Sequence, residues 1–66
     1  MTILELMDAI WNNDDLEVEI YSIEIEDTVW TGTYDGFQPR DCIPKKYWNK
    51  LVDTFSFSEN SICINY

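Results

Sequence analysis

The first part of the chain carries apolar residues at helical spacing. The positions that make up this pattern are Ile3, Leu6, Met7 and Ile10. A repeat of three or four residues places side chains on one face of an α-helix. Thr2 and Glu5 have the spacing of a capping box, in which a hydroxyl and a carboxylate satisfy free N–H groups at a helix start. We therefore predict an amphipathic helix over residues 2–12, ended by the Asn and Asp residues at 12–15, which tolerate left-handed backbone conformations.

The next segment alternates apolar and acidic residues, the period-two pattern of a half-buried strand. Residues 16–20 place two glutamates on one face and three aliphatic side chains on the other. The apolar parity then changes, which predicts a β-bulge near residues 21–22. We predict a tight turn at 26–27 and a second strand over 28–34, a run rich in β-branched and aromatic residues.

The second half of the chain predicts another helix and a hairpin. A loop-like stretch precedes Pro44, a residue that suits the first turn of a helix. Residues 44–52 combine a short apolar stripe with three lysines, so we predict the second helix there. The runs 54–58 and 62–66 flank a polar turn and predict a hairpin, in which Asn60 is suited to positive φ.

The predicted order of elements is α-β-β-α-β-β, an α+β domain with a small, mainly antiparallel sheet. Two helices packed on one face of this sheet would cover the apolar stripes. The chain has 66 residues, too few to divide between two cores, so residues 1–66 are predicted to form a single domain. Hydrophobic residues make up 45% of the chain, which favours a folded state over a disordered acidic tail.

Cysteine usage and the N-terminal pattern bear on the compartment and the oligomeric state. Charged and apolar residues alternate near the N-terminus, unlike the uniformly apolar core of a signal peptide. We expect the cytoplasm of a host bacterial cell, where a disulfide between Cys42 and Cys63 is disfavoured and both are small buried apolar residues. A domain this small often needs self-association, and its many aromatic residues favour a homodimer.

The charge is strongly acidic and unevenly distributed. Thirteen acidic residues stand against four basic ones, a net charge of −9. Residues 1–39 contain ten of the acids and no Lys or Arg, whereas residues 40–66 contain all four basic residues and three acids. Such a field repels nucleic acid and anionic membranes and favours a host protein with a basic surface. We therefore expect no direct nucleic-acid binding and no membrane binding.

Few residues of the chain are suited to catalysis or metal binding. With no histidine, the commonest general base is missing and no Ser-His or Cys-His dyad can form. The oxygen ligands at 12–15 with Glu17 would suit a weak Ca²⁺ site, but they lack the glycine and the spacing of an EF-hand. Gly32 and Gly36 do not have the spacing of a phosphate-binding loop. We expect no enzyme activity, no cofactor and no metal.

Regularly spaced carboxylates are the main functional signal. Alternate residues of a strand lie about 7 Å apart on one face, which would arrange the glutamates as a ladder. Duplex DNA also displays regularly spaced negative charge, so such a ladder can occupy a site built for phosphates. The alternative is that outward glutamates only maintain solubility and protect the edges of the sheet.

The aromatic residues divide between the core and a candidate interface. Trp11, Trp48 and Phe55 occupy positions that would face the core between sheet and helices. Trp30 and Tyr34 share a parity on the second strand and, if exposed, would supply aromatic anchors for a partner. The predicted partner-binding residues are Glu17, Glu19, Glu24, Glu26, Asp27, Trp30 and Tyr34.

Several short segments together form a layout that occurs elsewhere. They are the opening helix at 2–6, the acidic strand at 16–20, the strand at 29–32, the Ile43-Pro44 entry to a short helix and the closing run at 62–64. This layout resembles small acidic uncharacterised proteins of phages and mobile elements of Gram-positive bacteria. Small acidic phage proteins include anti-CRISPR and antirestriction inhibitors, several of which look like DNA to their targets. The resemblance implies an inhibitor and assigns a role to no particular residue.

The leading hypothesis is therefore a small inhibitor that binds a nucleic-acid-handling host defence protein by charge mimicry of DNA or RNA. A second hypothesis is an oligomeric sponge that sequesters a signalling nucleotide. Its phosphates would be held by the four basic residues, Arg40, Lys45, Lys46 and Lys50. A third is an accessory structural or regulatory subunit.

Overall fold

Four strands form one mixed sheet in the computed structural model, which describes residues 1–10, 15–34 and 42–66. The elements are helix α1 (Ile3–Ile10), strands β1 (Leu16–Ser22) and β2 (Asp27–Tyr34), a 3₁₀ turn (Lys45–Tyr47), and strands β3 (Thr54–Ser58) and β4 (Ser61–Asn65). The strand order is β2-β1-β4-β3. Each hairpin is antiparallel, and the two hairpins meet through a parallel pairing of β1 with β4.

The observed architecture corrects the predicted one in two respects. The order is α-β-β-β-β, with one helix and a 3₁₀ turn, and not α-β-β-α-β-β with two helices on one face. The sheet is mixed because its central pairing is parallel, whereas a mainly antiparallel sheet was predicted. The predicted hairpin of β3 and β4 is confirmed. Among the described non-glycine residues only Asp15 and Glu26 have positive φ, so Asn60 does not use the conformation expected for it.

Tertiary hydrogen bonds explain why residues 44–52 do not form a helix. The carbonyl of Lys50 accepts a hydrogen bond from the N–H of Ile3 at 2.9 Å, and that of Trp48 accepts one from Leu4 at 3.2 Å. The first N–H groups of any α-helix lack partners within the helix. Here they bond to the segment that follows the 3₁₀ turn, and the N–H of Val52 bonds to the Met1 carbonyl at 2.8 Å. The segment is therefore held beside the start of α1, and its own hydrogen bonds, from the N–H of Trp48 to the Lys45 carbonyl and from that of Lys50 to the Tyr47 carbonyl, close short turns and not an α-helix.

The capping box predicted at the start of α1 is confirmed. The backbone N–H of Thr2 donates to a carboxylate oxygen of Glu5 at 2.9 Å, and the N–H of Glu5 donates to the Thr2 hydroxyl at 3.2 Å. The predicted helix over 2–12 is observed over Ile3–Ile10, and residues 11–14 lie outside the described residues. The expectations that Trp11 faces the core and that the Asn and Asp residues at 12–14 end the helix therefore concern residues outside the described ones. Asp15 has φ of 56°, the left-handed conformation predicted for this run.

The core lies between one face of the sheet and α1. The alternation of β1 buries Leu16, Val18 and Ile20, which pack beside Ile62 and Ile64 of the parallel neighbour β4. The remaining buried hydrophobic side chains come from α1, β2 and the segment around the 3₁₀ turn, and are Ile3, Leu6, Met7, Tyr34, Ile43 and Tyr47. No helix of the described residues is long and apolar enough to cross a lipid bilayer.

The β-bulge predicted near residues 21–22 is confirmed by a register shift between Ile20 and Tyr21. Beyond it β1 ends at Ser22, and residues 23–26 form the turn to β2. Ile23 and Ile25, which the parity change had placed on a strand, are therefore exposed. Because this turn spans residues 23–26, it begins earlier than the tight turn predicted at 26–27. Glu26, its last residue, has φ of 55°.

Truncation of β1 at its centre should test the position of the core. We expect Ile20→Ala to destabilise the fold by about 2–5 kcal/mol, because the side chain is fully buried and its removal leaves a cavity. Ile25→Ala is the matched control, since that side chain is 62% exposed. Urea unfolding followed by circular dichroism measures both variants. Equal destabilisation by the two substitutions would contradict the observed end of β1.

The capping box should make stability depend on pH. The hydrogen bonds from the Thr2 backbone N–H and the Thr2 hydroxyl hold the pKa of Glu5 below its ordinary value. A carboxyl with a depressed folded pKa stabilises the fold above its unfolded pKa, and this contribution is lost as pH falls through the folded value. We expect Glu5→Ala to be less stable than the parent at neutral pH and nearly equal to it in strong acid. Denaturant unfolding at several pH values checks this, with Asp8→Ala as the control on the same helix.

Candidate functional site

The face of the sheet opposite the core is lined by polar side chains. On β1 the alternation that buries three aliphatic residues turns Glu17 and Glu19 to the other face. Their cross-strand partners are also polar, with Thr33 and Thr31 on β2 and Ser61 and Cys63 on β4. Since paired residues of neighbouring strands share a face, these side chains form one continuous polar surface. No other element of the described residues covers this surface, and we call it the uncovered face.

The uncovered face forms a groove of about 560 Å³. The side chains that line it carry two carboxylates, five hydroxyls and one thiol: Glu17, Glu19, Thr31, Thr33, Ser56, Ser58, Ser61 and Cys63. None of the described residues that line the groove is Lys or Arg. Carboxylates only accept hydrogen bonds when ionised, and hydroxyls can both donate and accept. The groove is therefore suited to a cationic group with several N–H donors.

Glu19 is the most constrained acid of the groove. One of its carboxylate oxygens accepts hydrogen bonds from the Thr28 hydroxyl at 3.0 Å and from the Cys63 thiol at 3.7 Å. Burial, followed by the charge of Glu19 and this hydrogen bond, raises the pKa of Cys63. A thiol with a raised pKa is a poor nucleophile at neutral pH, because the thiolate is the reactive form. Cys63 therefore acts here as a hydrogen-bond donor.

Both cysteines are half-buried, and the two do not occupy equivalent sites. Cys42 packs against the core cluster, in agreement with its predicted role as a small apolar residue. Cys63 lies on the uncovered face beside Glu19, so its predicted role as a buried apolar residue is wrong. Its position in β4, between buried Ile62 and Ile64, turns it away from the core.

The predicted acidic residues occupy the uncovered face and the turn that follows it. Glu17 is exposed and Glu19 half-buried on β1, whereas Glu24 and Glu26 are exposed in the turn at residues 23–26. Asp27 is exposed at the start of β2. The acids thus continue from the strand into its turn, but Glu24 and Glu26 do not extend a ladder along the strand as predicted.

The predicted aromatic anchors lie on the core side of the sheet. Tyr34 is 0% exposed because it pairs with Leu16, a core residue of β1. Trp30 pairs with Ile20 and packs partly buried against the core. A side chain added at Gly32 would lie 2.5 Å from the Trp30 ring, so the glycine provides the space that the indole fills. The interpretation of Trp30 and Tyr34 as exposed anchors is wrong, because parity alone does not show which face of a strand is buried.

Sequence reasoning missed the hydroxyl groups of the groove. Thr31 and Thr33 alternate with Gly32, and Ser56 and Ser58 alternate with aromatic residues. Period two in these runs was a usable signal for two strands with a hydroxyl-lined face. The contribution of β3 and β4 to the same groove was not readable, because it depends on their place beside β1.

The described cations lie apart from the groove. The three lysines follow Pro44 in the segment that bonds to α1, on the side of the sheet that the helix covers. Their ammonium groups stand over aromatic rings, with Lys45 6.0 Å from the Trp48 ring, Lys46 5.1 Å from Tyr47 and Lys50 5.7 Å from Tyr66. Arg40 lies outside the described residues. Within residues 1–10, 15–34 and 42–66, no cluster of three His, Cys, Asp or Glu side chains could hold a metal ion.

In the described residues, fold and site together define a small domain of one helix on a four-stranded mixed sheet, whose second face is acidic and is covered by no other described element. Comparison with protein-family models, with curated proteins and with solved structures finds no match to this chain.

Removal of the Glu19 charge should increase the reactivity of Cys63. We expect Glu19→Gln to lower the pKa of the thiol, since both the negative charge and the carboxylate acceptor are lost. Alkylation by iodoacetamide near pH 8 should then be about two- to fivefold faster, because more thiolate is present. Peptide mass spectrometry separates Cys63 from Cys42, and Glu17→Gln is the control on the same strand. An unchanged rate in Glu19→Gln would contradict the contact between these two side chains.

Proposed function

We propose that this protein binds a basic surface of a nucleic-acid-handling protein through its uncovered face. In this proposal the acidic groups occupy positions where the partner holds the phosphates of DNA or RNA. The partner class that the sequence suggests is a host defence protein, and the effect of binding is inhibition. The observation that carries the proposal is a polar groove with two carboxylates and, among the described residues, no cation in its lining.

The order of the acids along β1 and its turn supports this proposal. Glu17 and Glu19 lie on one face of the strand, about 7 Å apart for residues two positions apart. The chain then reaches the exposed turn that carries Glu24 and Glu26, followed directly by Asp27. A basic partner surface can therefore meet carboxylates on β1 and in the exposed turn that follows it.

The hydroxyls beside the carboxylates of β1 support recognition of lysine and arginine side chains. A guanidinium group presents five N–H donors and requires several acceptors at fixed positions. Glu17 lies next to Thr33 and Ser61 in the neighbouring strands, and each of these hydroxyls can accept. Charge-assisted hydrogen bonds are about twice as strong as neutral ones. The surroundings of Glu17 therefore fit an arginine side chain of the partner best.

The position of the lysines argues against the nucleotide sponge. A phosphate in the groove would meet carboxylates, which repel it. Lys45, Lys46 and Lys50 lie on the helix side of the sheet and over aromatic rings. The described residues thus provide an acidic groove with no Lys or Arg in its lining, and they place the lysines on the other side of the sheet. This arrangement favours a basic partner over an anionic ligand.

Charge reversal on the uncovered face and its turn tests this proposal. We expect Glu17→Lys, Glu24→Lys and Glu26→Lys together to weaken binding at least about tenfold, because they replace attraction by repulsion at the interface. The control set is Asp8→Lys, Asp53→Lys and Glu59→Lys, which makes the same change in net charge at other exposed positions. Glu19 is left unchanged because it bonds to Thr28 and Cys63 within the protein.

The readout is competition with DNA. Purified nucleases from Gram-positive hosts, including RNA-guided and restriction enzymes, are bound to labelled duplex DNA, and release of the DNA is followed by fluorescence polarisation. We expect the parent and the control set to release it and the uncovered-face set to fail, with release weakening as salt rises. Equal release of DNA by the uncovered-face set and the control set would exclude the uncovered face as the binding surface.

A further inference from the structure

Strand β3 is an edge strand whose outer side has no partner strand in the described part of the chain. It pairs with β4 on one side. Its five residues, Thr54–Ser58, are all exposed. They include no charged residue and no proline, the two kinds of residue that most often prevent an edge strand from pairing with another chain.

The other edge of the sheet differs from β3 in this respect. On β2 the carbonyl of Val29 accepts a hydrogen bond from the Tyr47 hydroxyl at 3.2 Å. The strand also begins with a charged residue, Asp27. A capped carbonyl and a charge both reduce the capacity of an edge to pair. Of the two edges, β3 is therefore the one that the described residues leave open to a further strand.

Two phenylalanines on β3 are left half-covered by the core. Phe55 and Phe57 pair with Ile64 and Ile62 and so share the core face of the sheet. They are nevertheless 50% and 46% exposed, and they do not belong to the core cluster to which α1 contributes. The sequence-based expectation that Phe55 is a core residue is wrong for this reason. Within the described residues, the edge thus offers a strand side without a partner strand and an adjacent apolar surface.

We propose that β3 pairs with β3 of a second copy of this chain, antiparallel about Ser56. The two four-stranded sheets would then join into one. The order of residue types around Ser56 is the same in both directions, since Phe55 would face Phe57 of the other copy and the hydroxyl residue Thr54 would face the hydroxyl residue Ser58. A two-fold interface must be complementary to itself, and this strand meets that condition residue by residue.

The register also satisfies the backbone. In an antiparallel pair the N–H and C=O groups of alternate residues point to the same side. Phe55 and Phe57 are two positions apart and Thr54 and Ser58 are four apart, so residues that face each other in this register direct their backbone groups alike. Cross-strand aromatic pairs are among the pairs that stabilise sheets most. Aromatic residues would meet on one face of the joined sheet and hydroxyls on the other.

The distribution of charge favours this edge for contact between two copies. The net charge of −9 makes copies repel each other, and ten of the thirteen acids lie in residues 1–39. The strand itself is uncharged, and its nearest charged residues are Asp53 and Glu59 at its two ends. Because these ends would face each other as like charges, added salt should strengthen the dimer. Binding of a basic partner to the uncovered face has the opposite salt dependence.

The size of the contact predicts a dimer that depends on concentration. A phenylalanine buries roughly 150–250 Å² when fully covered, and half of this surface is still exposed on each ring. The four rings of two copies therefore contribute roughly 400 Å², below the total of about 1,200–2,000 Å² that is common in stable complexes.

The two-fold axis would place both uncovered faces on the same side, with the two β1 strands five strand spacings, or about 24 Å, apart.

A cysteine scan along β3 tests the register in the full chain. With Cys42→Ala and Cys63→Ser as background, Ser56→Cys would meet its own copy at about 4.5–5.5 Å between Cα atoms, within reach of a disulfide. Ser58→Cys is the matched control, because its own copy would lie about 13 Å away along the strand. We expect mild oxidation to yield a covalent dimer with Ser56→Cys only. Equal yields, or a higher yield with Ser58→Cys, would overturn the proposed register.

Sedimentation analysis from micromolar to millimolar concentration tests the dimer itself. We expect self-association that strengthens with salt and is lost in Phe55→Lys/Phe57→Lys and in Phe55→Glu/Phe57→Glu, each checked for folding by circular dichroism. An equimolar mixture of the two variants should dimerise again, because opposite charges then face each other across the strands. A parent protein that stays monomeric at millimolar concentration, or a mixture that stays monomeric, would overturn the proposal.

Discussion

The parallel pairing of β1 with β4 is the contact on which the rest of the structure depends. It places the two most aliphatic strands side by side at the centre of the sheet, with Val18 opposite Ile62 and Ile20 opposite Ile64. β2 and β3 are thereby assigned to the edges. The same pairing brings the serines of the second hairpin beside the glutamates of the first, so one contact creates both the core and the groove.

The free N–H groups at the start of α1 organise the segment after the 3₁₀ turn. The carbonyls of Trp48 and Lys50 accept hydrogen bonds from N–H groups of the first turn of the helix. The side chains of Thr2 and Glu5 accept from each other's backbone N–H groups. Lys50 lies on this segment, and Lys45 and Lys46 lie on the 3₁₀ turn before it, so the three lysines are held on the helix side of the sheet. The uneven charge along the chain thus places the acidic groove on the uncovered face of the sheet and the lysines on the side covered by α1.

Each face and each edge of the sheet has a distinct chemistry. The face under α1 is aliphatic, the uncovered face is acidic and rich in hydroxyls, and β3 is an uncharged edge with half-exposed aromatic rings. Electrostatic contacts to a basic partner weaken as salt rises, whereas apolar contacts between acidic copies gain from screening. The proposed binding of a partner and the proposed self-association would therefore use separate surfaces of the same small domain and respond oppositely to ionic strength.

Features that depend on neighbours in sequence followed from the sequence by itself. These are the capping box of Thr2 and Glu5, the alternation of β1 with its bulge, and the hairpin of β3 and β4. Tertiary structure decided the parallel central pairing, the loss of the predicted second helix, the burial of Tyr34 and the exposure of Phe55. The physical reason is the distance along the chain over which each interaction acts. Capping and alternation act over two to four residues, whereas the buried face of a strand and the partner of a carbonyl depend on segments far apart along the chain.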